Sequence, residues 1–198
     1  MKASDLKLAY LLVTTPVPSV YIGGIMVTDS RGLPIEFRYT EPIQPTRIQQ
    51  ILYGQVLSSY IKREVILETL LKSVESKFKC LLVEDENLVN YPAKSFSVIR
   101  IAETKSPPLG EVGTIESVSA TEILLQASGQ GSPLRLTLPD PSSQSQDAED
   151  ASESSSAGKP VYNTLLEVSQ TMDVQEPLRR IAKALEIICQ EEGITSQT

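Results

Sequence analysis

The chain has no histidine and no tryptophan among its 198 residues. The first absence removes the Ser-His-Asp and Cys-His nucleophile systems, the His-bearing zinc sites and most general bases that work near neutral pH. The second, with only three phenylalanines and seven tyrosines, leaves a core to be built from Ile, Leu and Val. Cysteine is scarce too. Cys80 and Cys189 lie far apart in segments of different character, which excludes a disulfide framework or a metal knuckle and suits buried structural thiols in a cytoplasmic protein. No apolar run approaches the length of a membrane span, so no membrane partner is expected. The N-terminal MKASDLKLAYLLVTTPVP carries an apolar stretch only from Leu8 to Val13, with Asp5 and Lys7 just before it and no small-residue cleavage site after it. It reads as a first β-strand, not a leader. Nothing matches a P-loop, a GxGxxG turn, an EF-hand or a GxSxG elbow, so no catalytic residue and no cofactor is assigned from motifs.

Charge is unevenly placed. The formal net charge is −7, yet residues 1–138 hold fourteen basic and fourteen acidic side chains, so the whole excess lies beyond them. A neutral body with an acidic C-terminal part lacks the electrostatic footprint of a general nucleic-acid binder. Lys62-Arg63 and Arg179-Arg180 are the adjacent basic pairs, and each reads as the solvent face of a helix. Tyr39, Tyr53 and Tyr60 read as residues at the edge of the core and not as a platform for bases.

The segment PDPSSQSQDAEDASESSSAGKP, 139–160, has no large apolar side chain. It cannot bury enough surface to offset its ordering entropy, so it is expected to be a disordered linker between a body, 1–138, and a tail, 161–198. In the body, SVYIGGIMVTDSRGLPIEFRYT reads as a β-hairpin turning at Asp-Ser-Arg-Gly. Gly23 and Gly24 in its first strand forgo packing, which is expected where another element comes close to the backbone. Thr46-Arg-Ile-Gln49 matches a capping box, and Ile48, Ile51, Leu52, Val56 and Tyr60 follow at helical spacing. One helix from there to Ser76 would be about 45 Å long, so a break is expected near Ser58 to Arg63. FKCLLV and SVIRI then read as buried strands, and Gly113 to Leu138 as a small meander of TIESV, EILLQA and LRLTL.

Glu84-Asp85-Glu86, after the strand FKCLLV, is the one acid cluster, and hard carboxylate oxygens at a strand end are what Mg²⁺ takes. These are weak candidate metal ligands; as a group they read first as a solvated acidic turn. The order strand, strand, strand, helix, strand resembles the first half of an RNase H-like nuclease core. That resemblance implies acids on the first strand and at the end of the fourth. Here the first strand, LAYLLVTT, has none, so Asp29, Glu64 and Glu68 are the acids that would have to supplement the cluster.

In the tail, Leu178, Ile181, Leu185 and Ile188 form an apolar stripe opposite Arg179, Arg180, Lys183 and Glu186. Tyr162, Leu165 and Leu166 begin a shorter helix before it. The expectation is therefore an α+β fold: a β-hairpin or meander, then helices and further strands, ending in a C-terminal helical hairpin on a flexible linker. The preferred function is a non-enzymatic interaction or adaptor protein whose tail stripe binds a protein partner or another copy. The alternative is a nucleic-acid-associated protein with an RNase H-like, degenerate or active, nuclease body; a third and blander reading is that the tail helix docks on its own body and completes the core.

Overall fold

In the computed structural model, the described residues are 6–93, 95–127, 129, 131–140 and 165–194. The linker expected over 139–160 lies outside them apart from its first two positions. Eight strands form one mixed sheet: β1 (Leu8–Val17), β2 (Val20–Thr28), β3 (Pro34–Tyr39), β4 (Cys80–Val83), β5 (Ser97–Glu103), β6 (Ile115–Ser117), β7 (Glu122–Leu125) and β8 (Leu134–Thr137). Their order across the sheet is β3-β2-β1-β4-β5-β8-β7-β6. The first three strands are antiparallel, β1, β4 and β5 run parallel, and the meander β6-β7-β8 joins antiparallel to β5. This is the α+β, RNase H-like arrangement. β1 and β4 are central, which is why LAYLL and CLLV are apolar at every position and wholly buried over those residues.

Strand alternation divides the core in two. Ala9, Leu11, Ile25, Val27, Leu81, Val83 and Val98 face one side, where Ile61, Ile66, Leu67 and Leu70 of a long helical segment cover them. Leu8, Tyr10, Leu12, Ile22, Met26, Leu82, Ile99 and Ile101 face the other, beneath a C-terminal helix, Glu176–Glu191, and a helical turn at 165–169. The Gly23-Gly24 pair sits where both layers come down. A Cβ on Gly23 would overlap Ile66 Cγ2, and one on Gly24 would lie 3.1 Å from Ile181 Cγ2 and 3.3 Å from Leu185 Cδ2. Two helices, one on each face, use the two missing side chains.

The long segment does not break at 58–63. Its first helix, Arg47–Tyr53, starts on the expected capping box at Thr46 and stops at Gly54, whose φ of 51° and ψ of −127° leave helical space. A 3-10 turn over Gly54–Val56 and a helical turn over Leu57–Tyr60 lead into π winding over Ile61–Leu67, and Glu68–Ser73 is α-helical again. The periodic stripe of the first part is not buried: Ile48, Ile51, Leu52, Val56 and Tyr60 are all exposed.

The C-terminal stripe is not presented to solvent. Leu178, Ile181 and Leu185 are buried in the core, and Ile188 packs against it. Polar bonds lock the same region down. Thr171 Oγ1 donates to the Ser30 carbonyl at 2.9 Å, and Arg180 Nη2 donates to the Gly32 carbonyl at 2.7 Å. No helix among the described residues is long and apolar enough to cross a membrane.

Candidate functional site at the end of the fourth strand

Val83 closes β4, paired with Leu11 of β1 and Arg100 of β5. The three acids that follow do not converge. Alternation carries Glu84 to the side of Leu82, under the C-terminal helix, and Asp85 to the side of Val83, under the long helix. Asp85 is spent there on structure. Its Oδ2 takes an ion pair from Lys62 Nζ at 2.6 Å, and its Oδ1 caps a short helix, Glu86–Val89, by accepting from Asn87 N at 2.9 Å. Burial works to raise the Asp85 carboxyl, but the bonds from Lys62 and Asn87 outweigh it and hold the group below its ordinary range. Glu86 points from the exposed first turn of that helix.

Glu84 is the first residue after β4. Its surroundings on the sheet push its carboxyl above the usual range, first by loss of water, then by Glu103 at the end of β5; Arg179 of the C-terminal helix pulls the other way. Arg179 also pairs with Asp173 at 2.7 Å and reaches Glu103 at 3.9 Å. Beside this group lies an open cleft of about 600 Å³ lined by Glu103, Thr104, Ser132, Ser169, Gln175 and Arg179 among others. Sequence reasoning missed these lining residues. Arg179 had the one usable signal, a cation next to the apolar stripe, and reads from the sequence as a solvated face.

A divalent cation needs a converging set of oxygens, and this site does not offer one. The β1 positions on the Glu84 side of the sheet are Tyr10, paired with Leu82, and Leu12 one step beyond that pairing, and neither carries a carboxylate. Tyr10 is buried beside Thr28, and its burial drives its hydroxyl well above the ordinary phenol range. The other candidate acids are engaged elsewhere. Asp29 closes the β2–β3 turn by accepting from Arg31 N and Leu33 N at 2.9 Å each, Glu64 lies 3.6 Å from Arg63, and Glu68 pairs with Lys72 at 2.9 Å. Among the described residues, no group of three or more acidic, thiol or imidazole side chains is placed to hold a metal ion.

No protein-family model matches the chain, and no curated protein sequence does either. Solved structures do match. Endonuclease V from Streptomyces avermitilis superimposes with a TM-score of 0.62 at 11% identity, over 96% of this chain and 84% of that one. Human endonuclease V gives 0.58 at 11% identity over the same shares. Ciona intestinalis endonuclease V, solved with a 23mer DNA containing an inosine followed by a ribo-adenosine, gives 0.51 at 7% identity over 93% of this chain and 86% of that one. At these identities the likeness is one of fold.

Two expectations from the sequence are corrected here. The chain is not read as an adaptor presenting its C-terminal stripe, because the neighbours that match it nearly end to end are nucleases and the stripe is consumed in the sheet. Nucleic acid is no longer the unexpected partner that the neutral body and acidic tail suggest, since net charge reports an average and not the face of a cleft.

Proposed function

We propose that the chain is a nucleic-acid-associated protein built on an endonuclease V-like frame that lacks two-metal cleavage chemistry. One observation carries this reading. The frame is matched over 96% of the chain, while β1 offers Tyr10 and Leu12 where the fold would need a carboxylate beside Glu84. Beside the carboxylates of Glu103 and Asp173, the cleft holds Arg179, Ser132 and Gln175, which carry donors of the kind that bind phosphate and sugar oxygens. The buried thiols Cys80 and Cys189 accord with a cytoplasmic location.

The test combines binding and cleavage. Fluorescence anisotropy with labelled single- and double-stranded DNA, inosine-containing DNA and RNA should show binding that weakens as salt rises. Arg179→Glu should weaken it further, and incubation with Mg²⁺ or Mn²⁺ should leave every substrate intact. Absence of binding to all four at the lowest salt would remove the nucleic-acid reading. Metal-dependent cleavage that disappears in Glu84→Gln would remove the degenerate one.

A further inference from the structure

Arg179 is the one cation among the described residues that line the cleft, and both of the cleft's carboxylates lie close to it. Asp173 Oδ2 accepts from its Nη1 at 2.7 Å, and Glu103 Oε1 lies 3.9 Å from its Nη2. Asp173 is held in place by backbone. Its Oδ1 accepts from Gln175 N at 2.9 Å, and its carbonyl accepts from Glu176 N at 3.1 Å. These bonds tie it to the opening of the C-terminal helix, whose first turn carries Arg179. The pair stays open to solutes, with 60% of the Arg179 side chain and 48% of the Asp173 side chain exposed.

We propose that the Asp173 carboxylate occupies the Arg179 guanidinium in place of a backbone phosphate, so that this ion pair sets how tightly the cleft holds nucleic acid; this role rests on the nucleic-acid reading above. Carboxylate and phosphate present the same kind of anionic oxygens to the planar guanidinium, and they compete for its N–H groups. A phosphate that approaches Arg179 therefore meets one positive charge and two negative ones. It must displace Asp173 or bear its repulsion. Gln175, whose Oε1 lies 3.4 Å from Nη2, is uncharged and opposes no phosphate. An exposed ion pair is weak, so Asp173 acts as a brake on binding and not as a block. The opposite role, in which Asp173 aims Arg179 at the strand, predicts the opposite sign when the carboxylate is neutralised.

Anisotropy titrations of labelled single-stranded DNA with the full chain, repeated across a salt series, test this with Asp173→Asn. Asparagine keeps an oxygen for Gln175 N and removes only the charge, so the thermal midpoint should change little. Asp173→Ser, which also keeps an acceptor there, is the second variant if the first unfolds. Either should bind roughly two- to five-fold tighter than the wild type, the range in which an exposed ion pair competes. The fall of log K with log salt should steepen by about 0.7, one further phosphate contact on a single strand. Arg179→Gln should cost more affinity in the Asp173→Asn background than in the wild type. Glu191→Gln removes the same charge from the far end of the helix, about 18 Å along its axis, and should leave the slope unchanged. Equal or weaker binding by both Asp173 variants, or the same gain from Glu191→Gln, would overturn the proposal and leave the nucleic-acid reading standing. No binding by the wild type or by either Asp173 variant at the lowest salt would remove both.

Discussion

Glu36 sits on the edge strand β3 and holds the end of the long helical segment to it. Its carboxylate accepts from Ser76 N at 2.9 Å and Glu75 N at 3.1 Å, while Arg38 Nε donates to it at 3.1 Å. Loss of water raises its pKa, but the donated bonds outweigh that and bring the group from 4.5 down to about 2. A folded value below the unfolded one means that the ionised form stabilises the fold. That contribution is complete above about pH 4.5 and is lost as the pH falls toward 2. Glu36→Gln should lower the thermal midpoint at pH 7 and flatten its decline across that window; melts from pH 2 to 7 with parallel profiles for the two proteins would contradict the assignment. The glycine pair offers a second contrast at the same scale. Gly23→Ala drives a Cβ into Ile66, which is fully buried, and should cost roughly 1–3 kcal/mol as other overpacking changes do. Gly24→Ala asks Ile181, Leu185 and Phe37 to give way only slightly, since each stands 3.1–3.3 Å from the new atom. Chemical denaturation should rank Gly23→Ala as the more damaging, and the reverse order would mean that the C-terminal helix is the tighter of the two layers.

Among the elements, what could be read from the sequence was local. β1 and β4 announce themselves as continuous apolar runs, the β2–β3 hairpin by its turn, the long helix by Thr46 and Gln49, and the glycine pair by its oddity in a strand. The first-helix stripe shows the limit of periodicity: Ile48, Ile51 and Leu52 have core spacing, but Gly54 turns the chain so that they never reach the sheet. The acid cluster shows a second limit. Whether Glu84, Asp85 and Glu86 share a pocket depends on the pairing of Val83 with Leu11, seventy-two residues away in sequence, and one step of alternation sends Asp85 to Lys62 and Glu84 to Arg179. The C-terminal stripe was legible as a surface needing cover; that its cover is Gly24 and the strands around it was not, because the intervening polar segment carries no signal of direction.

At the scale of the molecule, the C-terminal residues are part of the core: seven of the twenty buried side chains in the cluster on one face of the sheet come from them. The sheet is apolar on both faces, and among the described residues the second face is covered by 165–194, chiefly the turn at 165–169 and the helix Glu176–Glu191. Leu185 and Ile181 stand over Gly24, which has no side chain of its own to fill the space if they are removed. Leu185→Ala should therefore cost roughly 2–5 kcal/mol. For a chain of this size that lowers the thermal midpoint on the order of 10 °C. The double change Ile181→Asp/Leu185→Asp places two carboxylates on the apolar face and should abolish cooperative unfolding of the whole protein, including the opposite layer around Ile66. An appendage would behave differently: the double variant would melt at the wild-type midpoint, with only the C-terminal amides losing protection in hydrogen exchange. Loss of protection in β1 and β4 together with the C-terminal helix is the result that makes the two layers one structure.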